Sequence, residues 1–286
     1  MMLQDGLFHG TPAWTLQSAD GAQAVVTLHG AHVVSWRPAG GHGEQLYLSP
    51  RSGFADGQAI RGGVPVVFPQ FSDRGPLPRH GLARDRAWQL LRHGLDADGA
   101  ATAVLGLTDG AATRAIWPHA FALELRLRLL GQQLELGLHC ANTGTEPWAF
   151  AAGLHTYLQV PDSAQATIAG LAGRGYHDAL DRRDKTQQDP WLAIPGEVDR
   201  IYPGVATAVE LHRRGEPAAP VLRVAHAGFS DLVIWNPGPQ RCALLPDMPA
   251  DGYRAMVCIE SARIIEPVLL EGAQTWLGVQ RLQLLA

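Results

Sequence analysis

Residues 121–140 read Phe-Ala-Leu-Glu-Leu-Arg-Leu-Arg-Leu-Leu-Gly-Gln-Gln-Leu-Glu-Leu-Gly-Leu-His-Cys. Phe121, Leu123, Leu125, Leu127 and Leu129 alternate with Ala122, Glu124, Arg126 and Arg128. A period of two is that of a strand with one face buried and the other in water. Gly131-Gln132-Gln133 interrupts the pattern, and Leu134, Leu136, Leu138 and Cys140 then alternate with Glu135, Gly137 and His139. The stretch predicts two antiparallel strands joined by a tight turn.

Outward from this hairpin, shorter runs rich in β-branched and aromatic residues recur at 24–36, 64–68, 148–160, 221–224, 232–235, 256–259 and 275–284. Turn residues separate most of them, and no amphipathic helical pattern of ten or more residues lies between. The predicted class is therefore all-β, a large antiparallel β-sandwich with few short helices. Residues 1–286 are expected to form a single domain, with no internal repeat, low-complexity tract or linker. The polar, aperiodic stretch 176–202, with His177, Asp178, Asp181, Arg182, Arg183, Asp184 and Lys185, is expected to be a long surface loop, either functional or simply solvated.

A chain of 286 residues, 46% hydrophobic and 17% charged, is long enough to bury roughly three-quarters of its unfolded surface, which excludes extensive disorder. Its 32 Gly and 20 Pro interrupt it too often for a helical bundle. The formal net charge of −4 argues against a nucleic-acid backbone or an anionic membrane as partner. Lys185 is the one lysine, which leaves a single poor candidate for Schiff-base or phosphate-loop chemistry. Three scattered cysteines, Cys140, Cys242 and Cys258, suggest no disulfide framework. Together with an N-terminus, Met1-Met2-Leu3-Gln4-Asp5-Gly6, that lacks basic and apolar leader regions, they lead us to expect a cytoplasmic protein.

The segment 60–88 holds Arg61, Arg74, Arg79, Arg84 and Arg86 against Asp73 and Asp85, a net of +3 in an acidic chain. Guanidinium forks can grip phosphate or carboxylate oxygens bidentately, or they can merely solvate a loop. The two glycines of Arg61-Gly62-Gly63-Val64-Pro65 would admit a ligand close to the backbone. Pro69-Gln70-Phe71 and Arg79-His80-Gly81 offer polar side chains beside turns. His155 is one of 12 histidines, and alternation puts it on the face opposite Phe150, Ala152, Leu154 and Leu158. Glu260 ends the apolar run Met256-Val257-Cys258-Ile259, where it either reaches water or enters a pocket that would raise its pKa. Asp199 either accepts hydrogen bonds from ligand hydroxyls or pairs with Arg200. His29 and His32 fall on opposite faces of a strand and do not suggest a metal site. HExxH, GxSxG, GxGxxG and Walker A patterns are missing.

Taken in order, five stretches resemble the glucose-6-phosphate 1-epimerases, or hexose-6-phosphate mutarotases. They are Arg61-Gly62-Gly63-Val64-Pro65 with Phe68-Pro69, His80-Gly81-Leu82-Ala83-Arg84, Leu154-His155-Thr156-Tyr157, Glu197-Val198-Asp199-Arg200-Ile201-Tyr202 and Cys258-Ile259-Glu260. The similarity spans about residues 30–262 and implies the galactose-mutarotase-like sandwich, in agreement with the period-two reading. Position by position, it implies that His155 and Glu260 are catalytic, that Arg61 and Arg84 face a sugar phosphate, that Asp199 binds substrate and that His80 lies beside the site. Arg79 stands where some relatives have a ligand-contacting glutamine, and Ser261-Ala262 where some have Pro-Gly.

The implied reaction opens and recloses the sugar ring, with one group taking the proton of the C1 hydroxyl and another protonating the ring oxygen. Glu260 is expected as a carboxylate base and His155 as an imidazolium acid, exchanging roles on closure. No metal or organic cofactor is implied. The expected partner is a small sugar phosphate, and the chain is expected to act as a monomer. Two alternatives remain open at this stage: an aldose 1-epimerase for unphosphorylated sugars, and a non-catalytic carbohydrate-binding or regulatory protein.

Overall fold

The computed structural model describes residues 3–213 and 220–285. Met1 and Met2, on which part of the N-terminal reading rests, lie outside the described residues. The alternation at 121–140 becomes two paired strands, Phe121–Leu130 and Gln133–Asn142. In the first, every second residue from Phe121 to Leu129 is buried. Each leucine so withdrawn from water contributes on the order of 1.5–3 kcal/mol, which fixes the register, because a one-residue slip would turn the whole apolar set outward.

These two strands lie within a nine-stranded sheet that runs from the edge strand Gln89–Leu95 to the edge strand Trp191–Ala193. A second sheet of eight strands places Met256–Leu270 between Asp231–Asn236 and Trp148–Leu154. A third, of four strands, is built from residues 3–37. Every pairing between these strands is antiparallel, and one apolar cluster joins the inner faces of the two large sheets, with Leu123, Leu125 and Leu136 from one and Leu154, Val257 and Ile259 from the other. The architecture is the all-β sandwich expected from the sequence, with helices limited to short turns such as Ala111–Arg114 and Gly238–Cys242. No helix among the described residues is long and apolar enough to cross a membrane.

The stretch 176–202 is not a surface loop. It contributes to strands Gly175–Asp178, Arg183–Thr186, Trp191–Ala193 and Val198–Tyr202. The first two form a hairpin at the edge of the eight-stranded sheet, where a mostly exposed strand such as Arg183–Thr186 can be wholly polar. Glu260 does not end a strand either: Met256–Leu270 continues ten residues beyond it.

Candidate active site

The strand Met256–Leu270 divides its side chains by parity. Val257 and Ile259 enter the core between the sheets, while Met256, Cys258 and Ala262 pack on the opposite face with Tyr157, Val233 and Trp235. Glu260 shares this outer face, because it lies two residues from Cys258. Register then sets its neighbours: Asp199, Trp235, Cys258 and Tyr157 form one row across four strands, and Ile201, Val233 and Glu260 form the next.

His155 sits in the two-residue break between Trp148–Leu154 and Tyr157–Gln159, so simple alternation through 148–160 does not hold there. Its backbone N–H donates to the Pro65 carbonyl at 3.0 Å. Its ring stacks on Tyr157, with centroids 4.8 Å apart and planes 8° from parallel, and meets the edges of His80 and Trp235 at 5.4 and 5.9 Å. That packing places His155 Nδ1 3.4 Å from Glu260 Oε1. Glu260 is 1% exposed and His155 7%.

Burial, reinforced by Asp199, holds the Glu260 carboxyl well above the usual carboxylate range. Burial, together with His80, Arg61 and Arg84, holds the His155 imidazole well below its ordinary value. Both shifts disfavour the charged form of each partner, so desolvation opposes the imidazolium–carboxylate form of the pair. In contact, the two groups offer one acid and one base.

All seven residues singled out from the sequence, His155, Glu260, Arg61, Arg79, His80, Arg84 and Asp199, line one cleft of about 780 Å³. That volume suits a ligand of monosaccharide size with room for its substituents. Arg61 is held from two sides, by Asp247 and by the Tyr157 hydroxyl, to which its Nη1 donates at 3.0 Å. Gly62 and Gly63 serve the fold and not a ligand's approach: both have positive φ, and a Cβ would lie 2.4 Å from the Tyr47 carbonyl oxygen at one and 2.3 Å from that of Val33 at the other. Arg84 donates through Nη2 to the Arg79 carbonyl at 2.9 Å, while the Arg79 side chain lines the cleft.

His80 is buried, and its pKa is lowered to about 2 by burial and by Arg84, Arg79 and Arg61, so it is a neutral ring whose Nδ1 accepts from the Ser72 N–H. Asp199 faces the cleft, where burial raises its pKa, and does not pair with Arg200, which extends from the other face to Gln187 and the Tyr176 ring. Gln70 is not a ligand group: its amide ties the turn together through Ser72 and Leu77.

Sequence reasoning did not single out Tyr157, Trp235, Arg182 and Arg241, which also line the cleft, nor Asp247 behind it. Tyr157 had a signal, two positions after His155. Arg182 lay in the polar stretch 176–202 that offered a functional reading, whereas Trp235, Arg241 and Asp247 had no signal, because register and loop folding bring them in. Six arginines, Arg61, Arg74, Arg79, Arg84, Arg182 and Arg241, line the cleft against three carboxylates, Asp73, Asp199 and Glu260. Arg86, counted with them in the sequence, lies elsewhere beside Asp85. The arrangement can bind a polar anion and move protons across a short distance in a site shielded from water.

Comparison with known proteins bears on the chemistry. An Escherichia coli K12 protein named "Putative glucose-6-phosphate 1-epimerase" is 36% identical over 242 residues, 84% of this chain and 79% of that protein. One from Cenchrus ciliaris with the same name is 31% identical over 271 residues, 92% of this chain and 82% of that protein. The crystal structure of a "putative mutarotase" from Salmonella typhimurium superposes with a TM-score of 0.88 at 30% identity, covering 99% of this chain and 93% of that one. The family model for aldose 1-epimerase matches residues 12–283, and the chain belongs to that family as an epimerase that interconverts sugar anomers.

Proposed function

We propose that the chain interconverts the α and β anomers of a hexose 6-phosphate, D-glucose 6-phosphate foremost, with His155 and Glu260 as its proton-transfer pair. The observation that carries this reading is the pair itself, 3.4 Å apart in a cleft where arginines outnumber carboxylates. One member takes the C1 hydroxyl proton while the other protonates the ring oxygen. The C1–O5 bond breaks to give an open-chain aldehyde, rotation about C1–C2 exchanges its faces, and closure returns both protons. Asp199 accepts hydrogen bonds from ring hydroxyls.

The phosphate is held by Arg61 and Arg84, whose positive field opposes protonation of His155. A bound dianion offsets that field and so favours the imidazolium. Burial is the larger cause of the shift, so the anion reverses only part of it. Arg79 contributes to the same anion site. The names carried by the E. coli and Cenchrus proteins support a 6-phosphate substrate. Three free, buried thiols support a cytoplasmic location, and an apolar cluster running from Leu16 to Leu282 supports one domain. In this reading the monomer is the active unit.

The test is anomeric exchange measured by NMR for glucose and for the 6-phosphates of glucose, galactose and mannose, side by side. Glucose 6-phosphate is expected to exchange fastest. Equal exchange of glucose would remove the phosphate assignment, and no exchange with any of the four would remove the reaction.

A further inference from the structure

We propose that Cys258, His155 and Glu260 together form a binding site for a borderline-soft divalent cation, Zn²⁺ foremost, and that the bound ion reversibly inhibits the enzyme. The inhibition, though not the binding, rests on the reading of His155 and Glu260 as the proton-transfer pair.

Cys258 and Glu260 project from the same face of one strand, two residues apart, and His155 closes over them. The potential ligand atoms of the three side chains all lie within 4.8 Å of one another. Bonds of about 2.0–2.3 Å to nitrogen, oxygen and sulfur give a tetrahedral zinc site ligand-to-ligand edges of about 3.3–3.8 Å. The nitrogen–oxygen edge is already formed, since His155 Nδ1 and Glu260 Oε1 are 3.4 Å apart. The sulfur needs to close by at most about an ångström, within the reach of a χ1 adjustment.

Unmet demand points the same way. His155 Nδ1 and Glu260 Oε2 are buried without a hydrogen-bond partner. Buried polar atoms are rarely left so, and one cation bound by the imidazole and by both oxygens of the carboxylate would satisfy both. A thiolate, an imidazole and a single carboxylate suit zinc over magnesium or calcium, which prefer oxygen ligands. Cys258 is fully buried and its pKa is held well above the ordinary thiol value, so binding must expel its proton, as coordination to zinc does. His155 and Glu260 line the cleft, which gives the ion its path to the site, and its fourth position faces the space the sugar occupies. Once ligated, the imidazole lone pair and the carboxylate cannot move protons, so the ion stops turnover.

The experiment uses the full chain, stripped with a chelator that is then removed. Titration with Co²⁺ is expected to give, at one equivalent, a thiolate-to-cobalt charge-transfer absorption that Zn²⁺ displaces. Cys258→Ala should lose this band, whereas Cys140→Ala combined with Cys242→Ala should keep it. In anomeric exchange, Zn²⁺ should inhibit the wild type competitively with glucose 6-phosphate and reversibly on chelation. Cys258 does not line the cleft, so Cys258→Ala should exchange at the wild-type rate without metal, with an apparent Ki for Zn²⁺ raised at least about tenfold. A wild-type protein that gives no thiolate band, stimulation by Zn²⁺, or equal inhibition of Cys258→Ala would each overturn the site. The cobalt spectrum does not depend on turnover, so it stands or falls separately from the proposed reaction, and the wild-type and Cys140/Cys242 spectra remain decisive if Cys258→Ala fails to fold.

Discussion

Asp247 holds Arg61 across 186 residues of chain, its Oδ2 lying 3.1 Å from Nε and 3.0 Å from Nη2. The guanidinium edge engaged by the carboxylate and the contact from Nη1 to Tyr157 leave the remaining N–H groups for a ligand. Both side chains are between a fifth and a third exposed, so the pair adds little to stability, and its value lies in orientation. Asp247→Asn is expected to leave the thermal midpoint nearly unchanged and kcat within about twofold, while KM for glucose 6-phosphate rises about three- to tenfold, consistent with one weakened hydrogen bond of ~0.5–1.5 kcal/mol. Steady-state exchange kinetics with circular dichroism check this. A fall in kcat with unchanged KM would contradict it.

Removing the guanidinium itself should cost more. Arg61→Ala and Arg84→Ala are expected to raise KM for glucose 6-phosphate by about 10- to 100-fold each, the equivalent of ~1.5–3 kcal/mol for a charge-assisted contact. KM for glucose should change far less. The wild-type kcat/KM for the phosphate ester should fall with added salt and that for glucose should not, because screening acts on the charged encounter. Parallel losses for both sugars would show that the arginines act through the fold.

Glu260→Gln removes the ionisable oxygen while keeping size and shape. Exchange is expected to fall by about 10²–10⁴-fold with ligand binding retained. The same substitution should stabilise the protein. A carboxyl whose folded pKa is raised favours folding below its ordinary value of 4.5 and loses that contribution as pH rises toward the folded value. The gain from Glu260→Gln should therefore open above about pH 4.5 and grow into the neutral range. Denaturant midpoints of the two proteins at pH 4.5 and 8 test this; a constant difference would mean that Glu260 is not strained by burial.

The histidines predict an acid limb of opposite sign. His32 and His80 have pKa values lowered by burial to about 3 and about 2. A group with a depressed folded pKa stabilises the protein above its unfolded value, here 6.5, and that stability is lost as pH falls toward the folded value. Stability should decline from about pH 6.5 downward, by on the order of several kcal/mol before pH 3. His32 contacts the Gly62 carbonyl through Nε2 at 2.7 Å, so His32→Gln, whose amide can donate to the same oxygen, should flatten that limb. Unfolding curves across pH 7.5 to 4 would show it, and an unchanged slope would assign the acid loss to other groups.

Features governed by neighbours along the chain are legible in the residues alone. The alternation through 121–140 announces a half-buried hairpin because side-chain direction in a strand repeats every two residues. Five short stretches point to the cleft because each is a local run of sequence that resembles the epimerase pattern, whether it folds as a turn, as at His80, or as a strand, as at Glu260. Tertiary structure decided the rest. Arg183–Thr186 and Trp191–Ala193 escape the apolar pattern because edge strands need little burial, and Gln89–Leu95, mostly exposed at an edge of the nine-stranded sheet, escapes it for the same reason. Asp247, Arg182 and Arg241 reach the cleft only through loop folding that no local spacing encodes. Glu260 looked like the end of a strand because the apolar run stops there, yet the sheet continues past it and buries it. That burial, a property of everything packed around the strand and of nothing within it, is what raises the pKa of the carboxyl and lowers that of the imidazole.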